Sequence, residues 1–279
     1  MEPARIILNA DDFGLSAEID AGILALLNAG RLSGVSIMAA APLAAQDVPL
    51  LRPFRERADL GLHFCLTEIP TFTGGGLHRF DGKPHTFGEV QARAWRGDYD
   101  RDQLRTELQR QWCAARDLLG FVPAHIDSHQ HVHQLPVIRD VVVEFVAALP
   151  ESERPYVRTA VDSPATILRR GVNPARSLVF AWVGRGLQRR LQERRLATND
   201  GFSGVYDFGT RVPYRDRFRG FLSGARTNTI ILCHPGTIGT SGYADPLSAT
   251  RRLELAYLSG NDFPDDLAKA GVKLGRFRA

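Results

Sequence analysis

Lysine is rare in this 279-residue chain. It occurs only at Lys83, Lys269 and Lys273, so arginine carries nearly all the positive charge, which nets to +4. An excess that small on a chain this long is too dilute to predict nucleic acid as a partner. Cysteine is scarce as well. Cys65, Cys113 and Cys233 are odd in number, far apart and never in CxxC spacing. That excludes a disulfide scaffold or thiolate zinc site and fits a reducing compartment. No apolar run approaches the ~20 residues of a membrane helix, so no transmembrane segment is expected. The N-terminus reaches Asp11-Asp12 without the basic start and long apolar core of a signal peptide, which predicts a cytoplasmic location. Repeats, low-complexity tracts and Pro/Ser-rich linkers are also missing. A single domain over residues 1–279 is the simpler expectation.

What is present is an ordinary globular composition, 44% hydrophobic and 24% charged, which excludes a mostly disordered chain and promises a sizeable core. Short β-type runs alternate with helical patterns. This predicts an α/β fold built of βαβ units around a parallel sheet or barrel, and a (β/α) barrel of ~250 residues suits the length. Strands are predicted at Arg5 to Asn9, Val35 to Ala40, Asp59 to Leu66, Ala124 to Ser128, Val157 to Thr159 and Thr229 to Cys233. Ser16 is placed to cap a helix whose apolar face is Ile19, Ile23, Leu26 and Leu27, with Gly30 as its stop. Further helices are predicted from Asp100 to Leu119, Pro136 to Leu149, Gly186 to Leu196, Ser248 to Ser259 and Asp262 to Ala270, with a long loop from Thr67 to about Gly97. Between Arg169 and Arg195, eight arginines stand against the single acid Glu193. That is either a solvated helix face or an attraction for an anionic substrate group or membrane surface.

Polar residues collect where the predicted strands end: Asp11 and Asp12, His63, the group His125, Asp127 and His129, and His234. In parallel α/β folds these ends form one rim, so distant residues converge there. From His125 to His133 the polar residues alternate at period two, and an extended backbone would aim them all one way. A buried row of this kind needs a metal or a hydrogen-bond network. A catalytic zinc commonly has three protein ligands and one open position. Two histidines and one aspartate supply such a set, and the spare aspartate would take a proton from the metal's water. The Asp-Asp pair alone is a weak signal, since such pairs also cap helices.

The segments Asn9-Ala-Asp-Asp-Phe-Gly-Leu-Ser16, Gly61-Leu-His-Phe-Cys-Leu-Thr67, Pro123-Ala-His-Ile-Asp-Ser-His-Gln-His-Val-His133 and Cys233-His-Pro-Gly236 carry a resemblance. Together they resemble the motifs of the YdjC-like carbohydrate deacetylases, a family that includes chitooligosaccharide deacetylases and deacetylases associated with hopanoid biosynthesis. The resemblance implies a single-domain, distorted, TIM-like (β/α) barrel with a metal site at the C-terminal rim of its strands. It implies hydrolysis of the N-acetyl group of an amino sugar, with one divalent metal ion, zinc or magnesium, as cofactor. Asp12, His63 and His129 would bind the metal, Asp11 would be the general base and His234 the general acid. Arg158 would hold a catalytic carboxylate ionised, or else make an ordinary surface salt bridge. His125, Asp127, His131 and His133 would orient the ligands or touch substrate. The implied partner is a small acetylated amino sugar, free, phosphorylated or lipid-linked, and homodimer formation is left open.

Cys65 reads as a small buried hydrophobe. His78 and His85 fall in the long loop near a sugar site or in solvent. Trp95 and Trp182 are candidates for stacking on sugars, whereas Trp112 reads as core. Two rival readings remain: a phosphoesterase on a similar barrel with two or three ions, and a non-catalytic module binding an anionic sugar or lipid.

Overall fold

The computed structural model describes residues 2–239 and 242–278. Its strands are β1 (Ala4–Phe13), β2 (Gly34–Ile37), β3 (Asp59–Phe64), β4 (His125–Ser128), β5 (Tyr156–Val157), β6 (Gly201–Ser203), β7 (Thr229–Cys233) and β8 (Val272–Leu274). All pair in parallel, in the order β5-β4-β3-β2-β1-β7-β6, with β8 beside the start of β1. Ile6, Ile7 and Leu8 of β1 are consecutive, apolar and fully buried, as a strand covered on both faces requires.

The expected distorted barrel is a curled parallel sheet whose outer strands, β5 and β6, meet only through an irregular segment. Val157 donates its N–H to the Ala197 carbonyl (2.9 Å) and bridges Thr198, after which the chain enters β6. The two-residue β5 and this bridge stand where a regular barrel would have full strands.

Around the sheet pack α1 (Ala17–Asn28), α2 (Ala44–Asp47), α3 (Phe87–Arg96), α4 (Arg101–Leu119), α5 (Ile138–Ala148), α6 (Pro164–Arg170), α7 (Pro174–Glu193), α8 (Tyr214–Leu222), α9 (Ser248–Ser259) and α10 (Asp262–Lys269). Ser16 caps α1 as expected, Asp100 caps α4 by accepting from Asp102 and Gln103, and Gly120 ends α4 at φ 79°. One apolar cluster joins α1, α8, α9 and α10 to β1 and β2, and a second joins α4, α5 and α7 to β3 and β4. No helix among the described residues is long and apolar enough to cross a membrane.

Three expectations are corrected. The long loop contains α3, fixed by a reciprocal cap in which Thr86 and Glu89 satisfy each other's backbone N–H groups. The basic helix α7 starts at Pro174, not Gly186, and runs through two glycines. A Cβ at Gly184 would meet Gln134 at 2.4 Å and one at Gly186 would meet Arg139 at 2.1 Å, so these glycines serve close packing and not a helix stop. The period-two row breaks at Ser128. Residues His129–Gln134 form a 3-10 turn with Gln130 and His131 at φ 54° and 57°, which sends His129, His131 and His133 in different directions.

Gly61 of β3 faces the buried His125 ring across the sheet, and a Cβ there would lie 2.3 Å from it. Gly61→Ala should therefore lower stability by about 1–3 kcal/mol, the usual range for overpacking a core. Gly88→Ala, in α3 with open space around it, should not. Denaturant midpoints of the two variants test the contrast.

Candidate active site

The rim begins with an irregularity in β1. Register with β2 shifts between Ala10 and Phe13, and Asp12 sits at φ 73°. Neighbours on a regular strand point to opposite faces, whereas this bulge lets Asp11 and Asp12 both enter the same cavity. Aspartate tolerates the left-handed backbone better than most residues because its short side chain bonds locally.

Asp11 is clamped. Both its oxygens accept from Arg158, Nη1 and Nη2 at 2.8 Å each, and Oδ1 also accepts from the Asn9 amide at 2.7 Å. Arg158 Nη1 also lies 3.0 Å from Asp127, so one buried guanidinium joins carboxylates from β1 and β4. Asp127 Oδ2 accepts from Ser36 (2.6 Å), which is in turn 3.0 Å from His125 Nε2. Burial opposes ionisation of Asp127, but Arg158 and His63 hold it well below the usual carboxylate range.

Asp12, His63 and His129 bring three ligand atoms within 4.8 Å of one another. Asp12 Oδ1 is 3.5 Å from His63 Nε2 and 3.1 Å from His129 Nδ1. The other nitrogen of each ring is held by a second carboxylate: His63 Nδ1 by Asp127 (2.6 Å) and His129 Nε2 by Glu68 (3.0 Å). Carboxylate-oriented imidazoles around a shared carboxylate oxygen fit a divalent ion. The second carboxylate and histidine group, Asp11, His63 and Asp127, is already occupied by Arg158 and makes an ion network instead.

Charge is balanced locally. Burial works against the charged rings, yet Asp127, Asp11 and Asp12 push His63 up to about 10, and Asp12 and Glu68 push His129 up to about 9. Burial also opposes an ionised Asp12, but Arg251, 2.7 Å from its Oδ2, and the two histidines hold its carboxyl well below the ordinary value.

His234 follows β7, whose Cys233 pairs with Ala10, and therefore stands beside the aspartates. Its ring packs edge-on against Phe208, its Nδ1 is buried without a hydrogen-bond partner, and burial pushes it down to about 4. The cavity over these groups has a volume of about 300 Å³, with Phe87, Phe180, Val205, Tyr206 and Phe208 among its walls.

The four remaining candidates separate. Asp127 holds His63, and His125 lies behind Ser36, stacked on Tyr156. His131 lines the cavity between Phe180 and Phe202, and burial keeps its ring neutral. His133 is locked between Ser128 and the Arg158 carbonyl (2.6 and 2.7 Å) and does not line the cavity. Cys65 belongs to the core, and neither His78 nor His85 lines the cavity.

The YdjC-like protein family matches residues 5–269. The chain belongs to the YdjC-like family. A carbohydrate deacetylase of Geobacillus stearothermophilus is 29% identical over 280 residues, 99% of this chain and 98% of that one. A chitooligosaccharide deacetylase of Serratia marcescens is 35% identical over 147 residues, 51% of this chain and 56% of that one. A solved structure from Enterococcus faecalis V583, to which cellobiose-phosphate cleavage has been ascribed, shares the fold. It aligns at a TM-score of 0.74 and 17% identity, over 99% of this chain and 98% of that one.

Several residues of this YdjC-like site escaped the sequence reading. Arg251 and Glu254, one turn apart on α9, bond Asp12 and the His234 backbone N–H (2.7 and 2.6 Å), and Tyr206 donates to Glu254. In sequence they belong to an Arg-Arg-Leu-Glu stretch indistinguishable from a solvated helix. Ser36, a hydroxyl inside an apolar strand, was the one signal available.

Proton linkage gives a test. The two raised rings stabilise the metal-free protein fully below about pH 6.5, and that stability is lost as pH rises through about 9 and 10. An arriving divalent cation must displace those protons, so near neutral pH about two should be released per ion and affinity should rise with pH. Calorimetry in buffers of different ionisation enthalpy counts them. Asp12→Ala and His129→Ala should each lose most of the ion by elemental analysis, and undiminished metal in both would refute the ligand set.

Proposed function

We propose that the chain is a metal-dependent carbohydrate deacetylase. It hydrolyses the N-acetyl group of an N-acetylglucosamine-containing sugar to the free amine and acetate. The observation that carries this reading is the pairing of a carboxylate clamped by Arg158, Asp11, with an adjacent Asp12-His63-His129 donor set at the end of a cavity. The deacetylase names of the relatives support it. A phosphoesterase with two or three ions would need more donors than this rim offers, since Arg158 engages Asp11 and Asp127. Cys65, Cys113 and Cys233 are unpaired, which supports a reducing, cytoplasmic setting.

A divalent ion at Asp12, His63 and His129 would supply Lewis acidity, drawing the pKa of a water towards ~7 and polarising the acetyl carbonyl. One carboxylate and two imidazoles favour zinc or another transition ion over magnesium. Asp11 takes the water's proton as its oxygen bonds to the carbonyl carbon. The Arg158 fork and the Asn9 amide fix the direction of that carboxylate. His234 delivers a proton to the nitrogen as the carbon–nitrogen bond breaks, so that an amine leaves and not an amide anion. Its ring is neutral at rest because burial lowers it to about 4. It takes up a proton from solvent only as the negative charge of the tetrahedral adduct develops, is then a strong acid, and returns to the neutral ring when that proton passes to the nitrogen. His131 offers a neutral ring to the sugar from the cavity wall.

Positioned acids and bases contribute typically 10²–10⁴-fold. Asp11→Asn should keep its metal and its fold while losing acetate release by at least about 10²-fold on N-acetylglucosamine oligosaccharides. His234→Ala should fall similarly, and a substrate with a better leaving group should recover part of the loss. An Asp11→Asn enzyme that works at the parental rate would overturn the assignment of the base.

A further inference from the structure

Two helices that wall the cavity also carry an exposed aromatic pair on its outside. From α3, Phe87 lines the cavity and Trp95 lies outside; from α7, Arg176 and Phe180 line it and Trp182 lies outside. The indoles of Trp95 and Trp182 stack on each other at 5.8 Å and 13°, yet are 49% and 62% exposed. Val179, 61% exposed, precedes Trp182 by one turn. Beside α3, the tip of a turn closed by Arg79 N–H and the Lys83 carbonyl (2.8 Å) presents Phe80 fully to solvent, and Arg79 ties that turn to Glu89 of α3.

The same stripe of α7 becomes cationic further on. Val179, Trp182, Arg185 and Arg189 recur at spacings of three, three and four, so they share one exposed face, and the arginines follow the indole within about 10 Å of helix. Arg189 pairs with Glu193 (3.3 Å), whereas Arg185, Arg194 and Arg195 have no acidic partner among the described residues.

From this juxtaposition we propose that the outer face of α3 and α7, with the Phe80 turn, docks the protein on an anionic lipid bilayer. Tryptophan suits the boundary because one side of the indole is apolar and its N–H stays wet. Arginines at the rim gain from anionic headgroups. The charge argues against a second copy, since a two-fold interface would set the α7 arginines against themselves. A sugar would find only the outer face of each indole free, and neither indole lines the cavity.

Flotation with vesicles of phosphatidylcholine, alone or mixed equally with phosphatidylglycerol, tests this directly. The purified chain should bind the mixed vesicles with a blue shift of tryptophan emission, and bind the neutral ones weakly. Arg185→Gln with Arg189→Gln should weaken partition about fivefold per arginine, the factor expected for one cation near an anionic surface. Trp95→Ala with Trp182→Ala should abolish the blue shift, since Trp112 is buried. Circular dichroism and unchanged acetate release from a soluble substrate would show that the arginine variant is folded. Failure of the parent chain to float, or variants that float like the parent, would overturn the proposal. So would a loss of self-association, or of quenching by oligosaccharide, on changing the two tryptophans without any effect on flotation. Partition is read without catalysis, so its failure is distinguishable from a failure of the deacetylase reading.

Discussion

One buried cation holds the rim together. Arg158 is 1% exposed and sits just after the two-residue β5, where the sheet is least regular, yet its guanidinium reaches Asp11 on β1 and Asp127 on β4. A lone buried guanidinium is strongly unfavourable and so is a lone buried carboxylate, but a planar fork between two carboxylates satisfies both in a fixed direction. The short outer strand is therefore tied to the sheet by charge as well as by its ladder. That tie fixes Asp11, and through Asp127 it also orients His63.

Arg158 and Arg251 offset part of the negative charge of Asp11, Asp12, Asp127, Glu68 and Asp245, and His63 and His129 offset two more charges when both rings are protonated. A divalent cation held there by two neutral imidazoles would bring the same two positive charges that the protons bring. The carboxylates behind each ring keep the ligand nitrogens aimed at Asp12 in both states.

Helix α9 completes the arrangement from the other side. Arg251 bonds Asp12, and Glu254, raised to about 7 by burial despite its hydrogen bonds from Tyr206 and the His234 backbone, steadies the strand end that bears His234. The proposed metal-binding and proton-donating residues, Asp12 and His234, are thus both held by α9. Small displacements at this distance change rates strongly, which makes such a shared reference valuable.

The sequence by itself determined much of this. Alternating strand and helix patterns fixed the α/β class, and the helix starts at Ser16 and Asp100 fall where the residues predict them. Asp11, Asp12, His63, His129 and His234 were legible because they end strands of a parallel sheet, and such ends meet whatever the intervening chain does. Other features needed the tertiary structure. Period-two alternation assumes an extended backbone, and the positive φ angles at Gln130 and His131 invalidate it, separating His131 at the cavity wall from His133 in the interior. The helix expected from Gly186 starts at Pro174, and sequence does not show that Gln134 and Arg139 press against its two glycines. Arg251 and Glu254 looked like solvated helix. Their burial depends on where α9 docks, and long-range packing decides that, not local propensity.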